Sequence, residues 1–84
     1  MNTKILESRV INLCDKLRSL GKSELADYFQ GLLSRIKNPL SEADKEEALQ
    51  QIITSGRISD MANFTIEEDR LLDLAYEEAK KLKK

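Results

Sequence analysis

Apolar residues recur along this chain in steps of three and four, the period of a helix that hides one face. In the first stretch Leu6, Val10, Leu13, Leu17 and Leu20 form the stripe, with Cys14 at its edge. Gly21 follows, and glycine adopts positive φ at little steric cost, so a helix over about 3–20 stops there. The second stretch sets Leu25, Phe29, Leu32, Leu33 and Ile36 on a broad face edged by Tyr28 and Ala26. Ser23 is a candidate cap, and Pro39 disfavours helical geometry at Asn38, which bounds this helix to about 24–37. Gly21, Lys22 and Ser23 join the two, a connection short enough to require an antiparallel hairpin.

The third stretch, 42–54, follows Ser41 and carries Asp44 where a capping-box acid sits. Its stripe of Ala48, Leu49, Ile52 and Ile53 is thin, and the polar Lys45 shares the same side. This helix is therefore expected to be the least stable of the set. The fourth, 66–83, opens on Thr65 and Glu68, a T-x-x-E capping box. Glu67 and Asp69 add negative charge at the positive end of its dipole. Leu71, Leu72, Ala75, Ala79 and Leu82 make its buried face.

No single helix can bury its stripe, but four antiparallel ones can bury theirs together. The pattern thus predicts an all-α fold, one domain over 1–84 built as a compact four-helix bundle with a tilted third helix. A short turn at 57–63 joins the last two helices. No stretch alternates with the period of two that a half-buried strand requires.

Composition narrows the reading. A chain of 84 residues buries roughly 60% of its unfolded surface, so losing one large core side chain, about 2–5 kcal/mol, could unfold it. The formal charge of −1 gives no overall attraction for nucleic acid. Its distribution is uneven: residues 1–40 hold seven bases and four acids, whereas 42–78 hold eleven acids against Lys45, Arg57 and Arg70. The tail adds Lys80, Lys81, Lys83 and Lys84, which suit the negative end of a helix dipole. Such segregation means either that acidic and basic helices pack side by side or that an acidic face awaits a basic partner.

Glu7 and Arg9 interrupt any apolar run near the start, so no signal peptide is expected. No apolar stretch reaches membrane-spanning length. A lone cysteine, with no partner for an internal disulfide, fits a reducing cytoplasm.

Candidate chemistry is sparse. With no histidine, the chain lacks the usual general base near neutral pH and the commonest metal ligand. Cys14 falls on the core side of its helix with nothing to activate it. The acidic runs Glu46–Glu47, Glu67–Glu68–Asp69 and Glu77–Glu78 do not converge, because adjacent helical residues point about 100° apart. Neither a calcium loop nor a phosphate-binding glycine pattern is present. The helix after the second turn, 42–54, is too acidic to meet a phosphate backbone. No enzyme activity, cofactor or metal is expected, and a nucleic-acid partner is disfavoured.

Three features exceed what a minimal bundle needs. Ile11 lies about 125° from the centre of its helix's stripe, among Lys4, Glu7, Asp15 and Arg18. It is either a solitary exposed isoleucine or a second contact surface, for helix 3, a twin subunit or a partner. Gly31 stands on the polar side of helix 2, where glycine costs roughly 0.5–1 kcal/mol against alanine. In the segment 55–64, Ile58, Met61 and Phe64 recur every third residue, as do Arg57, Asp60 and Asn63. One short helical turn would set the first group against the bundle and the second outward. Loops often carry recognition, so Arg57, Ser59, Asp60 and Asn63, with Ile11, are the candidate partner-binding residues.

The run G-R-x-S-D-M at 56–61, followed by the capped acidic helix with A-Y-E-E-A-K at 75–80, resembles a group of small, uncharacterised bacterial helical proteins. Some of that group look like immunity-type proteins of toxin systems. The resemblance covers roughly 49–82, with Ile58 replacing the group's second turn glycine and Met61 its leucine. It implies a small immunity- or regulator-like module and brings no catalytic residue. The expectation is a cytoplasmic protein that binds another, basic protein through its acidic face and the 55–64 turn. The alternative is a homodimer that uses Ile11 or spare surface of helix 1; a nucleic-acid accessory role ranks last.

Overall fold

The structure is a computed structural model that describes residues 3–54 and 64–83. Four helices account for most of them: α1 (Lys4–Ser19), α2 (Ser23–Lys37), α3 (Glu42–Thr54) and α4 (Ile66–Leu82). No strand occurs among the described residues. The chain is an all-α four-helix bundle in which α1 packs on α2 and α4, and α3 closes the ring by packing on both of those.

The α1–α2 hairpin turns where the glycine permits it. Gly21 has φ +78°. Its N–H donates to the Arg18 carbonyl at 3.1 Å, and the Lys22 N–H reaches back to the Leu17 carbonyl at 2.8 Å. This pair of bonds is the Schellman motif, which satisfies carbonyls that the helix end would otherwise leave bare. Two expectations shift at this corner. Leu20, counted in the stripe by its spacing, becomes the C-cap residue and is 44% exposed. Ser23 is the first helical residue of α2 rather than its cap; Lys22 holds that position and makes no side-chain capping bond.

α3 starts as its sequence indicates. The Ser41 hydroxyl accepts the Asp44 N–H at 3.1 Å, while the Ser41 carbonyl accepts the Lys45 N–H. At the start of α4 the capping box is complete in both directions. The lysines that end α4 have partners on α4 and α3: Lys81 pairs with Glu78, Lys80 sits 5.1 Å from the centre of the Tyr76 ring, and Lys83 donates to Gln50 of α3.

The stripes meet in one core. Leu6, Val10, Leu13 and Leu17 from α1 lie against Ala26, Phe29, Leu32, Leu33 and Ile36 from α2. Ala48, Leu49 and Ile52 from α3 and Leu72, Ala75 and Ala79 from α4 complete it, with Leu25, Ile53, Phe64, Leu71 and Leu82 half-buried around it. Ala26 belongs to the centre rather than the edge of its face, since the Cys14 thiol lies over it and donates to its carbonyl at 3.4 Å. Burial pushes the Cys14 thiol above its ordinary pKa, which keeps it an inert packing group.

Ion pairs fix the directions of the helices. Lys37 near the end of α2 approaches Glu7 near the start of α1, so these two run antiparallel. Lys16 near the end of α1 pairs at 2.6 Å with Glu67 in the first turn of α4, so α4 also runs against α1. The end of α4 therefore lies beside the end of α2, where α3 begins. Gln50 stands eight residues into α3, about 12 Å along its axis, yet it still meets Lys83 at that end.

Candidate functional site

Two constellations have a geometry beyond plain packing, and both begin at a helix cap. The first ties the α1–α2 turn to the start of α4. Glu68 is wholly buried, yet its carboxylate is satisfied on every side. Its Oε1 accepts the Thr65 N–H at 2.9 Å, and both its oxygens accept the Lys22 ammonium at 3.1 and 3.0 Å. In return the Thr65 hydroxyl accepts the Glu68 N–H at 3.3 Å. The Lys22 Nζ also lies 5.1 Å from the centre of the Phe64 ring, a cation–π distance. Burial opposes ionisation of Glu68, but the Thr65 N–H, the Lys22 ammonium and the Thr65 hydroxyl outweigh it and hold the carboxyl below its usual range.

The second constellation clamps α2 to α3. Arg35 donates from Nε and Nη2 to Asp44 Oδ1 at 2.9 and 2.6 Å. The other Asp44 oxygen accepts the Leu40 N–H at 3.2 Å, and Glu47 stands 3.7 Å from Arg35. The Arg35 guanidinium beside Asp44 holds that carboxyl below its ordinary value, helped by the Leu40 N–H. Lys22 of the first constellation lines an open hollow of about 400 Å³ with Gly21, Ser23, Glu24 and Leu25.

Outside these corners the surface divides by charge. On the α1–α2 side Arg18 pairs with Asp27 at 3.0 Å and Lys37 with Glu7, while exposed Asp15 and Glu24 have no hydrogen-bond or ion-pair partner among the described residues. On the α3–α4 side Glu42, Glu46, Asp73 and Glu77 are exposed and have no hydrogen-bond or ion-pair partner among the described residues. Glu42, Glu46 and Gln50 step by four along α3 and share one side of it. Because Gln50 reaches Lys83, that side is the one toward α4. Asp73 and Glu77, also four apart, share the solvent side of α4.

The hollows are shallow. One of about 270 Å³ lies between α1 and α2, where Ile11 meets Ser34. Another of about 380 Å³ lies where Leu20 and Ile66 meet the Lys16–Glu67 pair. Among the described residues no group of three or more acids and cysteine could hold a metal ion. No described helix is long and apolar enough to cross a membrane.

Of the residues singled out by sequence, Ile11 is 47% exposed in the groove between α1 and α2. Arg57, Ser59, Asp60 and Asn63, with the rest of the 57–63 turn, lie outside the described residues. Phe64 packs against the core, as its three-residue spacing suggested. The partnership of Lys22 with Glu68 had no signal in the sequence, since 46 positions separate the two. The exposure of Ile66, at 86%, was equally hidden; only its place just after a cap hinted at it. No protein-family model matches the chain, and neither a curated protein nor a solved structure matches it.

Proposed function

We propose that this protein is a small, non-enzymatic module that binds another protein through the acidic face of α3 and α4. The observation that supports this reading is the division of charge. Bases of the first half are largely spent on internal pairs, whereas Glu42, Glu46, Asp73 and Glu77 are exposed with no cation partner among the described residues. Carboxylates gathered on one side raise the local concentration of a basic partner and speed its arrival more than they tighten its hold. Occlusion of a basic surface, as an immunity- or regulator-like protein performs it, is the mechanism that fits such a face. The polar residues Arg57, Ser59, Asp60 and Asn63 extend the proposed contact on sequence grounds.

Three baits test the reading in an extract of the source cells: the wild type, Glu42→Gln/Glu46→Gln/Asp73→Asn/Glu77→Gln, and Arg57→Ala/Asp60→Ala. A partner held by the wild type at low salt should be released at high salt and lost from the four-carboxylate variant. Equal recovery by wild type and that variant, or a complex indifferent to salt, would sink the acidic-face mechanism. Equal recovery by the Arg57→Ala/Asp60→Ala variant would remove the turn from the contact.

A further inference from the structure

The outer face of α1 and α2 carries an exposed aliphatic side chain, an unexplained glycine and a ladder of opposite charges at matched heights. We propose that this face binds a second copy of itself, about a two-fold axis parallel to the two helices.

Gly31 sits exposed inside α2, and an added Cβ there would meet nothing within 4 Å. Nothing among the described residues needs this glycine, although it weakens the helix. Ile11, 47% exposed, lies in the groove that α1 shares with Gln30, Leu33, Ser34 and Lys37. Antiparallel helices with a tight turn at Gly21 place Ile11 at the height of Gly31–Ser34 on α2. The charges form levels in the same way. Arg18 is level with Asp27, to which it donates at 3.0 Å, and Glu7 is level with Lys37 at 3.7 Å.

A two-fold axis along the helices sets α1 of one copy against α2 of the other without changing any height. Ile11 then meets the low surface at Gly31 and Ser34, as a knob meets a hole. Arg18 faces the other copy's Asp27, Glu7 faces its Lys37, and Asp15 faces its Gln30. Turning one helix end over end instead would bring Lys4 to Arg18 and Glu7 to Asp15, like against like. These charges already pair within each chain, so the second copy extends the ladder with opposite signs facing, and the pattern favours this orientation over the end-over-end one. The face offers roughly 500 Å² per partner, below the standard interface, so the dimer is weak and in rapid exchange.

Sedimentation equilibrium from about 10 µM to 1 mM, the range such an interface implies, tests this on the full chain. The wild type should shift from monomer to dimer, with less dimer at high salt. Ile11→Lys and Gly31→Arg should each raise the dissociation constant by about tenfold or more, a shift of at least 1.4 kcal/mol. Circular dichroism should show both still helical, since each position is solvent-facing in the monomer. Arg18→Asp should weaken the dimer, and Arg18→Asp/Asp27→Arg should restore it. The Glu46→Gln/Asp73→Asn variant should dimerise like the wild type, which separates this face from the acidic one. A monomer at every concentration overturns the proposal, including one whose α1–α2 face holds a different protein. A dimer unaffected by Ile11→Lys and Gly31→Arg overturns it too.

Discussion

Two corners of this molecule use the same device with different consequences. At each, a hydroxyl residue accepts the N–H of an acid three positions later, the acid accepts a backbone N–H at the helix start, and a base from elsewhere in the bundle pairs with the acid. At the α4 corner the acid is Glu68, with a side chain 0% exposed, and its base lies 46 residues away. At the α3 corner the acid is Asp44, 18% exposed, and Arg35 is nine residues away. Water can replace much of what Arg35 supplies to Asp44, but it cannot reach Glu68. The α4 corner also closes the ring of helices, whereas the α3 corner joins neighbours that a short connection already holds together. Burial and topology, rather than the local motif, decide which corner carries more of the fold.

The sharpest way to break the comparison is to remove the cation from each corner. Lys22→Met keeps the apolar stem but strands a buried carboxylate. Removing one member of a buried pair costs about 3–5 kcal/mol, reduced here to about 2–3 because Lys22 is one-quarter exposed. Arg35→Met should move the denaturation midpoint far less. The effect of Lys22→Met should also depend on pH. Glu68 has its folded pKa below the unfolded one, so its contribution is complete above the ordinary carboxylate range and fades as pH falls through the folded value. The gap between Lys22→Met and wild type should therefore be widest near neutral pH and narrow in acid, below the ordinary carboxylate range, as Glu68 takes up a proton. Urea titrations at neutral and acid pH check this, and a gap unchanged by acid would show that Glu68 is not the group responsible.

A milder comparison removes the caps. Loss of an N-cap hydroxyl costs about 0.5–2 kcal/mol, and the two corners should divide that range between them. Thr65→Ala should fall near about 2 kcal/mol, because the same bond positions the buried Glu68. Ser41→Ala should fall near about 0.5 kcal/mol, since the Asp44 carboxylate keeps Arg35 and the Leu40 N–H without it. Thermal unfolding of both variants gives the order directly, and the reverse order would mean that the α3 corner carries more than its burial suggests.

These corners also mark how far the residues alone could lead. Helix limits are local matters of spacing, caps and breakers, and the expected 3–20, 24–37, 42–54 and 66–83 lie close to Lys4–Ser19, Ser23–Lys37, Glu42–Thr54 and Ile66–Leu82. Both capping acids were legible for the same reason. What escaped was set by other helices. Leu20 continues the stripe by count, but the turn at Gly21 carries it outward. Ala26 resembles an edge residue by size, but Cys14 from α1 covers it. Nothing near Lys22 announces a buried acid 46 residues on. The candidate surface was legible as a charge imbalance and as Ile11 lying off its stripe; which acids lack an internal cation required the packed helices.

The same contrast extends to stability within the ring. α3 buries Ala48, Leu49 and Ile52, whereas α1 buries five residues over Leu6–Leu17 and closes with a Schellman turn. Amides in the middle of α3 should exchange with solvent faster than those in the middle of α1, because local opening costs less where less apolar surface is buried. Hydrogen exchange followed by mass spectrometry distinguishes the two segments, and equal protection would show that the bundle opens only as a whole.

The smallest effect concerns a position that neither corner touches. Gly31→Ala replaces a solvent-facing helical glycine whose Cβ would meet no atom within 4 Å. It should raise the stability of the monomer by about 0.5–1 kcal/mol, measured at a concentration too low for self-association. A gain would show that the glycine is costly within a single chain, so any reason for keeping it lies outside that chain. No gain, or a loss, would mean that α2 is frayed around Gly31. The flat face required for Ile11 of a second copy would then be missing.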